Sequence, residues 1–304
     1  MELRLVWWLV LFTCACRDER LPRYWVADRA AGEVVALDEE LCVQERIGVA
    51  APESVRADGD GLWIAARRRL VRRERRSGDD TASDLAELVA LEVDAEGRAL
   101  VLERPPESKR ERTASETLLW RVEPDHHRTL LGAFPAAEAL AVQSGLLLVG
   151  GANGELAALR PDGAVLSLGR VPGPTRALAP GPRAGEWWAL VGADGTNLLL
   201  LDRELAPRWS AACPPGTSRF APVEGEPRVW VAGEGRALRV GSDGALELEL
   251  GAGPWEAALA TRSGVLLLGR GALLEVEVRH GCASVRRTQG GFAALAVLTR
   301  AGRE

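Results

Sequence analysis

One phrase of this chain recurs along its length, and its clearest copy is SVRADGDGLWIA at residues 54–65. Two short apolar segments flank an Asp-Gly turn, and this pattern predicts a β-hairpin. The second apolar segment has seven copies 36 to 48 residues apart, which begin at Tyr24, Leu62, Arg98, Leu146, Trp187, Arg228 and Val265. A period of about 40 residues with several strands is typical of a β-propeller. The sequence therefore predicts an all-β fold with seven blades.

The first apolar segment of each repeat places one large side chain between small ones. The large residues of this column are Val55, Leu91, Leu140, Leu178, Phe220, Leu259 and Leu295. Such alternation suits a strand packed between two blades, because successive side chains point to opposite faces. The first blade, residues 24–49, lacks its own copy, and the last copy lies at the C-terminus. We therefore expect the strand 292–299 to complete the first blade and close the ring.

Two phrases resemble a known repeat class. The segments VADRAAGEVVALD (26–38) and ADGDGLWIA (57–65) are similar to NHL/YVTN-type propeller repeats. This resemblance covers roughly residues 24–300 and implies a propeller without fixing a function. The segment GELAAL (154–159) resembles a PQQ-type repeat, as in the propeller lipoprotein of the outer-membrane barrel-assembly machinery. That family implies eight blades, so a blade count distinguishes the two resemblances.

The N-terminus has the features of a targeting segment. The apolar run 5–13 follows one basic residue, is too short to span a bilayer, and ends at small residues and cysteine, which is typical of a secretory signal. The sequence TCAC (13–16) is similar to a bacterial lipobox, which makes Cys16 the lipidated first mature residue. Cys14 is the alternative acceptor, and a plain signal peptide or an uncleaved anchor is the alternative to lipidation.

These features predict the organisation and location of the chain. Residues 1–15 form a lipoprotein-type signal peptide, 16–23 a short tether and 24–304 a single propeller domain. Arg17 follows the cysteine, and the sorting rule of lipoproteins then implies the outer membrane of a diderm. We predict a lipid-anchored protein of the bacterial cell envelope and leave open whether it faces the periplasm or the surface.

Composition limits the partners of this domain. The chain has 304 residues and a net charge of −5, which gives no electrostatic case for nucleic acid. We expect a monomer without a cofactor that meets the membrane only through its N-terminal lipid. Cys42, Cys213 and Cys282 form at most one disulfide, either a Cys42–Cys282 staple or none, and no Cys/His spacing suggests zinc.

The rim of the central channel is the candidate ligand site. Residues just before the innermost strands are expected there, namely Glu53, Glu138, Arg176, Arg219, Trp255 and Glu256. These side chains either converge to bind a small polar ligand or form a solvated rim. Arg56 and Glu92 share one column of adjacent blades and predict an inter-blade ion pair. His126 and His127 follow Asp125 in a predicted turn, which we favour over a metal site.

Two charged segments are candidate partner surfaces. Residues 67–76 contain seven arginines in ten positions, and residues 103–116 contain Pro105-Pro106 and a mixed-charge run. Each binds a partner or an anionic surface, or is a solvated edge. Blade two is expected to lack a clean fourth strand because residues 67–84 are so highly charged.

No catalytic residue is assigned from the sequence. No nucleophile elbow and no paired carboxylates are recognised. We therefore predict a non-enzymatic binding or scaffold module for a protein or a small ligand. The alternative is a propeller hydrolase or lyase that uses rim carboxylates, with or without a divalent metal.

Overall fold

Apolar segments joined by short turns form antiparallel hairpins throughout the computed structural model. They assemble into seven four-stranded sheets, which confirms the predicted seven-bladed β-propeller. Each sheet is a blade, and the blades are numbered in chain order. The structure describes residues 23–58, 60–105, 116–193, 197–213, 217, 219–223, 226–233, 236–241, 245–250, 255, 257–261, 264–269, 272–279, 282–290 and 296–300. The predicted signal peptide with Cys14 and Cys16 lies outside the described residues.

The strands follow one another in chain order around the ring. Blades one to three contain β1 (Tyr24–Asp28), β2 (Glu33–Leu37), β3 (Val43–Gly48), β4 (Pro52–Ala57), β5 (Gly61–Ala66), β6 (Arg69–Glu74), β7 (Asp80–Asp84), β8 (Glu87–Val93), β9 (Ala99–Arg104), β10 (Glu116–Val122) and β11 (Arg128–Pro135). Blades four and five contain β12 (Ala137–Gln143), β13 (Leu146–Gly151), β14 (Glu155–Leu159), β15 (Val165–Arg170), β16 (Thr175–Pro180), β17 (Trp187–Val191), β18 (Asn197–Leu201) and β19 (Pro207–Ala212).

The last strands build blades six and seven and return to blade one. They are β20 (Arg219–Pro222), β21 (Arg228–Ala232), β22 (Ala237–Gly241), β23 (Leu246–Leu250), β24 (Ala257–Ala260), β25 (Gly264–Gly269), β26 (Ala272–Arg279), β27 (Cys282–Gly290) and β28 (Ala296–Arg300). Blade one has the order β28-β1-β2-β3, in which Tyr24 pairs with Arg300 and Asp28 pairs with Ala296. Of the strand expected at 292–299, residues 292–295 lie outside the described residues.

Aspartate side chains fix the turns between strands. The Oδ1 atom of Asp38 accepts hydrogen bonds from the backbone N–H groups of Glu40 at 3.0 Å and Cys42 at 2.8 Å. The same hydrogen bond, from the backbone N–H two residues later in the chain to the aspartate Oδ1, forms at Asp58, Asp94, Asp162 and Asp202. This local bond mimics a backbone turn and explains why Asp recurs where each strand ends.

The core is divided among the seven interfaces between blades. One cluster of buried apolar side chains lies at each interface, including the interface of blades seven and one, where Tyr24 and Leu37 pack on Leu266 and Leu273. The innermost strands also contact one another around the channel, in the order β28, β4, β8, β12, β16, β20, β24 and back to β28. The innermost strand of every blade thus touches both of its neighbours.

The predicted column of large side chains is correct in five blades. Its members pack against the preceding blade at Val55, Leu91, Leu140, Leu178 and Phe220. In blade seven the column is reversed, because Leu259 packs towards blade one and its small neighbours Ala258 and Ala260 pack towards blade six. A slip of one residue moves a strand's side chains to the other face. Leu295 lies outside the described residues.

Blade two has four strands, so the expectation that it lacks a clean fourth strand is wrong. Within the charged segment 67–76, Arg69–Glu74 form an ordinary third strand, β6, and β7 pairs beside it from Arg69↔Asp84 to Arg73↔Asp80. The turn before β6 consists of Arg67 and Arg68, with φ values of 43° and 67°. Left-handed φ is unusual for arginine, and no glycine or asparagine marks this turn in the sequence.

Candidate functional site

Bulges near the start of innermost strands contain three of the six predicted rim residues, Glu53, Glu138 and Arg176. A β-bulge lies near the start of the innermost strands of blades two to five, and the extra residues are Glu53, Val89, Glu138 and Arg176. Bulges re-aim side chains at the edges of sheets. Because the innermost strands of a propeller run in the same direction, these four residues share one rim.

Ion pairs connect the charged rim residues in two separate groups. The Nη1 atom of Arg176 lies 3.2 Å from Oε2 of Glu138, and its Nη2 donates to the carbonyl of Ala193 at 2.8 Å. Glu53 instead lies 3.8 Å from Arg29 of blade one. The structure therefore brings Glu138 and Arg176 together and gives Glu53 a different partner. Binding of a small polar ligand at this rim stays a prediction.

The other three predicted rim residues differ in position. Trp255 is 7% exposed and packs in the apolar core between blades six and seven, so its ring is part of that core. Arg219 begins β20, where its backbone pairs with Ala232. Glu256 lies outside the described residues.

The predicted pair of Arg56 and Glu92 is confirmed. The Nε and Nη2 atoms of Arg56 donate to the two carboxylate oxygens of Glu92 at 3.1 and 2.9 Å. Burial lowers the pKa of Arg56, but the charge and hydrogen bonds of Glu92 outweigh that effect and raise it. Both residues remain partly exposed, so this bidentate contact joins blades two and three beside the channel.

His126 joins the outer parts of blades two and three. It occupies the predicted turn with a φ of 67°, and its ring nitrogens contact the hydroxyls of Ser83 at 3.0 Å and Thr81 at 2.9 Å. The ring meets Trp63 edge-on at 5.6 Å. Burial lowers the pKa of His126, which favours the neutral ring. Within the described part of the chain, no group of three metal-ligating side chains is found.

The outer edge of blade four is a site that the sequence did not reveal. Four large apolar side chains stand out as exposed among the described residues: Leu130 at 50%, Val165 at 55%, Leu166 at 53% and Leu168 at 73%. Three of these lie on β15, the outermost strand of blade four. A concentration of exposed apolar side chains on one free edge is typical of interaction sites, which makes this edge a candidate site.

A groove of about 570 Å³ runs beside this edge. Phe134 and Pro135 of blade three form one wall, and Ala157, Val165 and Leu168 of blade four form the other. Leu168 pairs with Ala157 and Val165 pairs with Leu159, so both exposed residues share the face that blade four turns towards blade three. We call these residues and the strand β15 the blade-four edge.

Charged residues lie only at one end of the groove. Glu155 and Arg170 are both exposed, pair in register across β14 and β15, and line the groove. Neither side chain makes an ion pair with any other described residue. The groove thus has an apolar centre and a polar end, as many binding surfaces have.

Two cysteines are free thiols in the structure. Cys42 is exposed, and Cys213 is buried among the apolar residues between blades five and six. Burial raises the pKa of the Cys213 thiol to about 11. The Cys282 side chain is outside the described part of the chain.

Comparison with known proteins supports the fold alone. No protein-family model matches the chain, and no curated protein matches it in sequence. Among solved structures, a functionally unknown protein from Desulfotomaculum acetoxidans superposes with a TM-score of 0.68 at 10% identity, over 93% of this chain and all (100%) of that one.

Two further similar structures are of named proteins. Hsv2 from Kluyveromyces lactis superposes with a TM-score of 0.65 at 8% identity, over 87% of this chain and 98% of that one. A chain of the mitotic checkpoint complex gives 0.65 at 11% identity, over 90% and 86%. At such identities the likeness shows a β-propeller and no shared activity. No helix in the described residues is long and apolar enough to cross a membrane.

Proposed function

We propose that this chain is a non-enzymatic binding or scaffold module of the bacterial cell envelope, which docks a protein partner on the blade-four edge. The observation that supports this most strongly is the cluster of Val165, Leu166 and Leu168 beside an apolar groove. Leaving three large apolar side chains in water forgoes roughly 1.5–3 kcal/mol of burial for each one. A partner that covers them recovers that free energy.

The charged rim of the channel is a weaker candidate for protein docking than the blade-four edge. Glu138 and Arg176 neutralise each other, and Glu53 lies near Arg29. Protein docking therefore has more to gain at the blade-four edge than at the rim. The mitotic checkpoint complex contains a propeller within a protein assembly, which agrees with such a use of the fold by analogy.

Envelope anchoring is the second part of this proposal. It is supported by the apolar run 5–13 and by the lipobox-like cysteine at position 16. A chain with this anchor incorporates a labelled fatty acid in a bacterial host. We expect Cys16→Ala to abolish the label and Cys14→Ala to retain it. Retention of the label by Cys16→Ala would identify Cys14 as the acceptor. Absence of label from the unsubstituted chain would overturn the proposed anchor.

Partner capture tests the docking site. The full chain is immobilised and exposed to an envelope extract of the organism that encodes it, beside the variants Leu168→Asp and Leu130→Asp. Leu130 is a matched control because it is also exposed but lies on β11, paired with Trp120. Quantitative mass spectrometry should find a protein that the unsubstituted chain and Leu130→Asp retain and that Leu168→Asp loses by about tenfold or more. A partner that all three retain places binding elsewhere, and no retained partner overturns the binding role.

A further inference from the structure

We propose that an extended segment of the partner pairs with β15 as a fifth strand of blade four, and that the segment presents an apolar side chain two residues away from a carboxylate. This inference rests on the proposed function and specifies the chemistry of its ligand. It follows from three properties of the blade-four edge: a backbone edge that pairs with no described strand beyond β14, an adjacent apolar groove and an arginine that makes no ion pair with another described residue.

The backbone of β15 is open on one side. Blade four has the order β12-β13-β14-β15, so β15 is hydrogen-bonded to β14 and no other described strand pairs with it. Every blade has such an edge, but natural edge strands are usually protected by charge. The outer strands β3, β7 and β23 contain Glu or Asp within the strand, whereas β15 reads VLSLGR and has one charge at its end. The outer strand β11 also has a single charge at its end, but β15 carries three of the four large apolar side chains that stand out as exposed among the described residues, so the blade-four edge is poorly protected against strand addition.

The groove accepts a side chain from an added strand. A residue directly across from Leu168 has its Cβ about 4.5–5.5 Å from that of Leu168 and lies on the same face of the sheet. That face borders the groove, whose far wall is Phe134. Gly132 allows the wall to form, because a Cβ on Gly132 would lie 2.9 Å from Cε2 of Phe134. An aliphatic or aromatic side chain thus enters between Leu168 and Phe134.

Arg170 determines which charge is favoured on the added strand two residues from its apolar side chain. It lies two residues after Leu168 on the same face of β15 and has no ion pair with any described residue. Opposite charges directly across two strands are favourable, and like charges are unfavourable. Glu155 lies one strand further inward, so the incoming strand meets Arg170 first. The added strand therefore places a carboxylate across from Arg170, two residues from its apolar side chain.

A random heptapeptide library displayed on phage and panned against the full chain tests this inference. We expect enrichment of an aliphatic or aromatic residue two positions from Asp or Glu, and binding of the corresponding synthetic peptides by fluorescence anisotropy. Leu168→Asp should weaken these peptides about tenfold or more, which is about 1.4 kcal/mol, whereas Leu130→Asp should leave them unchanged. Peptides N-methylated at alternate amides should also bind more weakly, because strand pairing uses backbone N–H groups.

A charge reversal gives the sharpest result. Panning against Arg170→Glu should replace Asp or Glu by Lys or Arg at the same position of the enriched peptides. Unchanged enrichment in Arg170→Glu, or no pattern above the unselected library, overturns the inference. Circular dichroism of each variant verifies that it is folded. A captured partner that depends on Leu168, together with no enriched peptide pattern, rejects strand addition but keeps the proposed function; loss of both rejects both.

Discussion

Arg72 shows how a charged residue is accommodated inside blade two. Its side chain is 9% exposed, its Nη1 lies 2.8 Å from Oδ2 of Asp58, and its guanidinium lies 5.2 Å from the ring centre of Trp63. The indole Nε1 of Trp63 donates to the carbonyl of Gly97 in blade three at 2.9 Å. The guanidinium is thus held by an ion pair and a cation–π contact. Seven arginines in ten residues suggest a solvated surface, and the sequence does not show which of them is buried.

Removing the charge of Asp58 is expected to destabilise the protein. Asp58→Asn keeps the acceptor for the N–H groups of Asp60 and Gly61 but leaves the buried Arg72 unpaired. Breaking a buried pair in this way costs about 3 kcal/mol, measured as the unfolding free energy in urea. Asp162→Asn is the matched control, because Asp162 caps a similar turn and pairs with Arg160 in water. Equal and small effects of both substitutions would contradict a stabilising role for the Asp58 carboxylate.

Cys213 is expected to make the stability of the fold depend on alkaline pH. Burial raises the pKa of its thiol from 9.0 to about 11. Above pH 9 the unfolded chain loses this proton while the folded chain keeps it, so the unfolding free energy falls between pH 9 and pH 11 by at most about 2–3 kcal/mol. Denaturant titrations across this range should show the fall in the unsubstituted chain and in Cys42→Ala. A slope of the same size in Cys213→Ala would assign it to another group.

At the scale of single elements, β15 combines exposed apolar side chains with a single charge. Such edges promote association between copies, and an edge lysine opposes it. We expect Leu166→Lys, placed in the bulge of β15, to reduce light scattering of the concentrated full chain. Leu130→Lys on β11 is the control for charge alone. Equal reductions by the two substitutions would show that net charge, and not this edge, governs association.

The sequence predicts where the strands of each blade lie better than it predicts which neighbouring blade each face of a strand contacts. Alternation of large and small residues identifies an innermost strand, but it is satisfied equally well after a slip of one residue. The reversal at Leu259 is such a case, because both faces of that strand meet apolar neighbours in blades six and one. The fourth strand of blade two was missed for another reason: Asp80–Asp84 is largely exposed and has no apolar alternation to recognise.

The blade-four edge was missed because exposure is a tertiary property. The string VLSLGR contains Val and Leu, as the buried strands of this chain do, and its outermost place in the sheet is what exposes Leu168. The scarcity of charge on an outer strand is a sequence signal for this edge, but β11 shares it. The positions of Glu53, Glu138 and Arg176 near the start of an innermost strand follow from the repeat, whereas the burial of Trp255 does not. Their ion-pair partners depend on neighbouring blades and could not be predicted.

At the scale of the whole molecule, the apolar core is distributed over seven interfaces around the channel. The interface of blades seven and one is as apolar as the others. There, however, neighbouring strands come from opposite ends of the chain: β28 pairs with β1 and also contacts β4 and β24. The contribution of β28 to stability can therefore be separated from that of chain connectivity.

A truncation and a circular permutant separate these two contributions. A chain that ends at residue 290 leaves β1 without a partner on the channel side, so we expect loss of about 4 kcal/mol, or roughly 10 °C in Tm by calorimetry. Because Tyr24 pairs with Arg300, joining residue 304 to residue 23 creates a hairpin loop of residues 301–304 and Arg23. A circular permutant that begins at residue 291 and ends at residue 290 keeps the pairing of β28 with β1. In this permutant, however, β28 and β1 are neighbours in sequence, so the two ends of the chain no longer pair within one blade. Its Tm should lie between those of the truncated and full-length chains; a truncated chain as stable as the full-length chain would show that β28 adds no stability to the ring.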